Sequence, residues 1–213
     1  MGDSLQESVF APGGSTVTAV GLGGEGILRT RGRLLHARRV IEEALSQGLT
    51  YFDSAPAYQE SESYLGTVWR ENPAVRQKVF QASKSARRDG KGALAELDST
   101  LTRLHTDYLD LWQMHDIRTR ADLEALSGPG GALEVFVRAK KEGRVRYIGV
   151  TGHHDPVVLE RAVSEWPVDA VMLPVNPVEE LLGGFLTVTM AAARKKKIAV
   201  IAMKILGASH YIL

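Results

Sequence analysis

The 213-residue chain contains no cysteine, which excludes disulfides, thiolate metal sites and cysteine nucleophiles and agrees with a cytoplasmic setting. It also lacks a charge of one sign. Its 26 basic and 25 acidic residues leave a net +1, spread along the chain, so no field favours nucleic acid or an anionic membrane. The N-terminus shows no apolar run long enough for export or for crossing a bilayer. The Gly/Ser-rich residues 1–15 read as a loose tail. One local excess, Arg194-Lys195-Lys196-Lys197, closes a helical stretch where cations suit the helix dipole; a polyanion site is the alternative.

With 44% hydrophobic and 24% charged residues, the chain can bury a substantial core and reads most simply as one domain over 1–213. Strand-like runs at 17–22, 50–55, 79–84, 109–115, 147–151, 169–175 and 199–204 alternate with helical patterns at 34–47, 60–70, 91–104, 132–142, 156–165 and 180–196. Gly48 and Gly143 stand as helix stops, and Asp155-Pro156 as an N-cap followed by a first-turn proline. The long irregular piece from Asp116 to Gly131 is placed to cover a substrate. Strict alternation predicts a parallel sheet, and seven strands favour a (β/α) barrel whose reactive groups lie at the carboxyl ends of the strands. A complete barrel needs an eighth strand and typically ~250 residues. On this reading the chain stops one unit short, as a fragment, a cut chain or one closed by a partner, with two unpaired edges that would favour self-association.

Four residues fall at those carboxyl ends: Asp53, Tyr58 just beyond it, Lys84 and His115. Each has a plain structural reading: Asp53 and Lys84 as a buried ion pair, Tyr58 as a loop aromatic, His115 as a hydrogen-bonded core histidine. Together they give one another work. A phenol with a pKa near ~10 becomes a useful acid when a cation such as Lys84 favours its phenolate. Asp53 can hold Lys84 charged and oriented, and His115 can donate a hydrogen bond to a carbonyl oxygen. The set can protonate an alkoxide as it forms, but no side chain supplies hydride, so it implies a nicotinamide cofactor.

Gly21-Leu-Gly-Gly-Glu-Gly26 matches G-x-G-x-x-G, yet the next helix starts late, near Arg33, and Asp53 lies well beyond the ~20-residue spacing of a ribose-binding acid. A glycine loop that lets backbone approach a ligand or turn sharply fits better. His153-His154-Asp155 gives no metal site on this reading, because adjacent loop histidines are expected to point apart and no further ligand set is evident. Trp112 is expected to face the helices by strand alternation.

The stretch Gly48-Leu-Thr-Tyr-Phe-Asp53-Ser-Ala-Pro-Ala-Tyr58-Gln-Glu-Ser-Glu62-Ser-Tyr-Leu-Gly66 resembles the signature of the aldo-keto reductase family. Similar matches follow in order at Gln81-Ala-Ser-Lys84-Ser, Asp107-Tyr-Leu-Asp-Leu-Trp-Gln-Met-His115, Gly143-Arg-Val-Arg-Tyr-Ile-Gly-Val-Thr-Gly152, Pro174-Val-Asn176 and Ile201-Ala-Met-Lys-Ile-Leu-Gly207. The resemblance implies a (β/α)8 TIM barrel of the aldo-keto reductase type, its eighth strand and C-terminal segment absent from this chain. It implies reduction of a small aldehyde or ketone by NADPH, with catalytic roles for Asp53, Tyr58, Lys84 and His115. It further implies cofactor contacts at Gly23, Gly24, Asp53, Thr151, Met172, Met203 and Lys204. Gly152 stands where the family has an asparagine, Met172 where many members have glutamine, and Met203 where many stack a tyrosine on the nicotinamide. Methionine can pack on a ring but cannot replace an amide's hydrogen bonds. These departures leave a second reading, a weakly active or inactive barrel that binds a nucleotide or a partner.

Overall fold

A computed structural model describes residues 5–11 and 14–206. Two antiparallel strands, β1 (Glu7–Val9) and β2 (Thr16–Thr18), form a hairpin ahead of a seven-stranded parallel sheet. The sheet runs β3 (Gly21–Gly23), β4 (Tyr51–Asp53), β5 (Phe80–Ser85), β6 (Leu109–Met114), β7 (Val145–Thr151), β8 (Ala170–Pro174) and β9 (Ala199–Met203), each paired with its neighbour in sequence. Between them lie α1 (Leu34–Ser46), α2 (Ser61–Glu71), α3 (Pro73–Arg76), α4 (Gly90–Leu104), α5 (Arg120–Ser127), α6 (Ala132–Lys141), α7 (Pro156–Glu165) and α8 (Met190–Lys196). Residues from the first strand, β3, and the last, β9, line one common cavity, so the sheet curls as an incomplete (β/α)8 barrel.

Physical reasons for most of these elements are local. Strands β4, β5, β6 and β8 are buried at every position, as strands covered on both faces are, and the polar side chains of β5, Gln81, Ser83, Lys84 and Ser85, are each hydrogen-bonded. The edge strand β9 alternates between half-buried and exposed positions. Asp155 caps α7 by accepting from the N–H groups of Val157 and Val158 at 2.8 and 3.1 Å. Gly48 and Gly143 follow α1 and α6 with φ of 82° and 75°, as a left-handed helix stop demands. Trp112 turns outward and stacks on Phe136 of α6 at 3.6 Å.

Four expectations need correction. Residues 5–11 are not a loose tail: Phe10 is buried and packs on Phe80 at 4.5 Å and Tyr147 at 5.3 Å, closing the amino end of the barrel interior. Mutual hydrogen bonds tie this hairpin down, from Thr18 N–H to Thr50 Oγ1 at 2.9 Å and from Thr50 N–H to Thr18 Oγ1 at 3.1 Å. The run at 17–22 is two strands, because β2 pairs back on β1 and only Gly21–Gly23 joins the parallel sheet. The piece from 116 to 131 contains α5, started by a capping box between Thr119 and Asp122. The helix expected at 180–196 is broken at Gly184 (φ 79°) into two π-type turns, Glu179–Gly183 and Phe185–Thr189, before α8. Residues 1–4, 12, 13 and Gly207 lie outside the described residues.

The helix layer packs closely where α2 crosses α4. A Cβ at Gly66 would stand 1.9 Å from the Arg103 carbonyl oxygen and 2.8 Å from Leu104 Cα, both backbone positions that cannot rotate away. Alanine gains about 1 kcal/mol of helix propensity over glycine, whereas overpacking costs about 1–3 kcal/mol, and a backbone clash this close belongs at the upper end. Gly66→Ala should therefore lower the urea midpoint with the m-value unchanged. A stability equal to or above the parent's would show that the two helices separate at little cost.

Candidate active site

Asp53 ends β4, Lys84 lies one residue before the end of β5, and His115 follows β6 with its N–H bonded to the Ser85 carbonyl at 2.8 Å. Register places Asp53 beside Ala82, and Lys84 beside Gln113, so these side chains share the inner face of the sheet. Tyr58 is carried by the turn after β4, closed by the Tyr58 N–H on the Ala55 carbonyl at 3.0 Å, and α2 starts three residues later. The chain thus brings together all four residues expected from the sequence. Lys84 Nζ donates to Asp53 Oδ2 in a short contact and to the Ser54 carbonyl at 2.8 Å. The same nitrogen stands 4.9 Å from the centre of the Tyr58 ring, and the His115 ring meets Tyr58 edge-on at 5.7 Å.

Burial governs the electrostatics. Lys84 is 1% exposed, so its charge must be met inside the protein, and Asp53 meets it. Burial pushes the Asp53 carboxyl above its ordinary range while the Lys84 ammonium pulls it back. Burial, together with the Lys84 charge, lowers His115 to about 3, leaving a neutral imidazole with one N–H to donate. For Tyr58 the expected depression by Lys84 does not prevail. Burial first, then the Asp53 and Glu25 carboxylates, hold the phenol well above its usual value, with Arg29 opposing. The phenol is kept as an acid.

The cofactor residues expected from the resemblance divide into two groups. Gly23, Gly24, Asp53, Met172, Met203 and Lys204 line a cavity of about 580 Å³ together with Tyr58, along the seam between β3 and β9. Thr151 is not on its wall, although it is paired in register with Met172. Its hydroxyl oxygen accepts the Asp116 N–H at 2.8 Å, so it holds the loop after β6 and keeps its own proton to donate. The two glycines differ as well. A Cβ at Gly23 would meet nothing within 4 Å, whereas at Gly24 it would meet the Asp53 carbonyl at 2.7 Å, so Gly24 admits β4 rather than a ligand. Gly152 has a similar cause, since a Cβ there would stand 2.9 Å from the Ile117 carbonyl.

Some participants went unnoticed in the sequence. Gln113 is fully buried, donates weakly to Asp53 Oδ1 at 3.4 Å, and leaves its Oε1 without a partner among the described residues. Its place two residues before His115, on the same strand face, is the signal that could have found it. Arg88 donates to the carbonyls of His115 and Asp116, both at 2.8 Å, and is itself held by Asp122 at 2.8 Å. Nothing in the local sequence marks that long-range role. His153 and His154 do not diverge: their ring centres are 4.2 Å apart, and each Nε2 stands 3.3 Å from Asp116 Oδ1.

Among known proteins, the chain is 26% identical over 179 residues to aldo-keto reductase str7 of Strobilurus tenacellus, covering 78% of this chain and 51% of that one. It is 32% identical over 149 residues to L-galactose dehydrogenase of Arabidopsis thaliana, covering 65% and 46%. The chain therefore spans about half the length of these curated relatives. Its fold matches the holo form of an aldo-keto reductase from Bacillus halodurans with a TM-score of 0.76 at 20% identity, over 94% of this chain and 66% of that one. An aldo/keto reductase from Brucella melitensis matches with a TM-score of 0.73 at 24% identity, over 95% and 74%. The model of the aldo/keto reductase family covers residues 19–211, and with the ordered strand-end residues already described, the chain belongs to that family.

Proposed function

We propose that this chain carries the catalytic residues of an NADPH-dependent reductase of small aldehydes or ketones, acting in the cytoplasm. The observation that supports it most is the convergence of Tyr58 and His115 on the buried Lys84–Asp53 pair. The cavity suits a nicotinamide cofactor in size, since ligand pockets run from about 300 to 1,000 Å³, and its open wall at Gly23 leaves room for one. Met172 and Met203 would pack on the ring, Thr151 would offer its hydroxyl proton nearby, and Lys204 would face phosphate. When bound, the cofactor supplies the hydride that reaches the carbonyl carbon.

The chain's own residues manage the proton. Tyr58 gives its phenolic proton to the carbonyl oxygen as negative charge develops there, and solvent later restores it. Two of the three Lys84 donors are taken by Asp53 and the Ser54 carbonyl, which leaves the third to stabilise the phenolate that forms. Neutral His115 donates to the same carbonyl oxygen and orients it. A tyrosine held above its usual pKa stays loaded with its proton, and transfer to the more basic alkoxide remains downhill.

Replacing Tyr58 with phenylalanine should lower kcat for carbonyl reduction by about 10²–10⁴-fold, the usual worth of a general acid, and leave cofactor affinity nearly unchanged. Steady-state kinetics with a panel of small aldehydes tests this, and an undiminished rate would remove Tyr58 from the mechanism. Because Tyr58 must be protonated to act and its pKa is raised, kcat/KM for reduction should hold from about pH 7 through about 10, the ordinary tyrosine value, and fall only above it. A fall centred well below that value, abolished in Tyr58→Phe, would contradict the raised pKa. Met172, which lines the cavity and cannot make an amide's hydrogen bonds, favours the second reading, a barrel that binds without turnover. Titrating NADPH fluorescence in the folded chain separates the two. Saturable binding with turnover supports the reductase, whereas binding without turnover of any tested carbonyl supports the binding module.

A further inference from the structure

At the mouth of the barrel, beside His115, the loops after β6 and β7 bring together Asp116, His153 and His154, whose ligand atoms all lie within 4.8 Å of one another. We propose that these three residues form a binding site for a borderline divalent transition-metal ion of the Zn²⁺ class, its fourth position left to water or to a ligand oxygen. The case is geometric. In a tetrahedral site with bonds of about 2.0–2.1 Å, ligand atoms stand about 3.3–3.4 Å apart. Both histidine Nε2 atoms are 3.3 Å from Asp116 Oδ1.

Those contacts are not ordinary hydrogen bonds. Asp116 Oδ1 is buried and has no aligned donor among the described residues, although two imidazole nitrogens stand next to it. Three polar atoms that are close without being aimed at one another are arranged as if around a common point. The other carboxylate oxygen is already engaged: Arg118 donates to Oδ2 from Nε at 2.8 Å and from Nη2 at 2.5 Å. That pairing fixes the carboxylate plane and turns Oδ1 towards the histidines, as supporting groups do around bound ions. The backbone is fixed as well. Asp116 adopts a left-handed φ of 57°, stabilised by its N–H on Thr151 Oγ1 and by Arg88 on its carbonyl, each at 2.8 Å. Two imidazoles and one carboxylate select Zn²⁺ or its neighbours over Mg²⁺ and Ca²⁺, which take oxygen ligands. Arg118 and Lys204 add positive charge nearby, which opposes any dication, so the affinity must come from the short bonds to imidazole nitrogen and carboxylate oxygen.

The proposal does not depend on carbonyl reduction, and its test reads metal binding directly. The chelator-treated 213-residue chain is titrated with Co²⁺, whose tetrahedral complexes absorb strongly in the visible, then with Zn²⁺ to displace it, with thermal unfolding followed in parallel. The expected result is one saturable Co²⁺ equivalent, bleached by Zn²⁺, and a Tm that rises with Zn²⁺ concentration. Asp116→Asn and His154→Ala should each weaken binding by at least about 10-fold, the lower bound even for supporting groups. His36→Ala, on the exposed face of α1, should leave it unchanged. A folded chain with neither Co²⁺ absorption nor a Zn²⁺-dependent Tm overturns the site, as does binding that both variants leave intact. Asp116→Asn preserves side-chain shape and carries the test if His154→Ala does not fold.

Discussion

The buried ion pair between Lys84 and Asp53 is the constraint around which the barrel mouth is organised. An ammonium that is 1% exposed is tolerated only with a partner, and removing that partner would leave a charge in a low-dielectric interior at a cost of several kcal/mol. A hydrophobic pair of equal volume would suit stability as well or better. The chain instead holds two ions at the ends of adjacent strands, with the Ser54 carbonyl taking a second of the ammonium's three donors. Tyr58, His115 and Gln113 then settle around a fixed charge, and the protonation of the phenol and the imidazole follows from how thoroughly water is excluded.

Two carboxylates elsewhere, Asp110 on the sheet and Glu62 beside it, obey the same rule by sitting in closed networks. Asp110 accepts from Arg76 at 3.1 Å, from the Gln81 N–H at 2.9 Å and from Arg146 at 2.7 Å. Glu62 accepts from Ser83 at 2.6 Å and Arg103 at 2.7 Å. These groups face the helix layer and are satisfied, but the buried Trp112 Nε1 on that same face and the Tyr51 hydroxyl have no partner among the described residues, just as Gln113 Oε1 and Asp116 Oδ1 have none near the mouth. A missing partner therefore marks an atom as available to a ligand only where other ligating groups converge on it.

Most strands and helices were legible because strands such as β8 are continuously apolar, and because caps such as Asp155 and stops such as Gly48 act within a few residues. The four residues of the candidate site were legible because Asp53, Lys84 and His115 fall at strand ends and Tyr58 on the turn just beyond one. What escaped notice depended on tertiary contact. Phe10 reads as an isolated apolar residue in a polar tail until Phe80 and Tyr147 supply its neighbours. The approach of His153 and His154 to Asp116 needs two loops separated by two helices and a strand to meet. The direction of the Tyr58 shift also depends on burial, which residue order does not show, and burial outweighed the cation that proximity in the motif suggested.

Strand order follows chain order without exception in the main sheet. Each ladder therefore closes a loop of one strand-helix unit, and assembly can advance by adding neighbours without waiting for distant segments to meet. The same sequential order makes alignment errors cumulative. A slip of one residue in a single ladder would exchange inner and outer faces for that strand, turning Lys84 towards the helices or Trp112 towards the interior, so the chemistry at the mouth and correct strand alignment are inspected together whenever the chain folds.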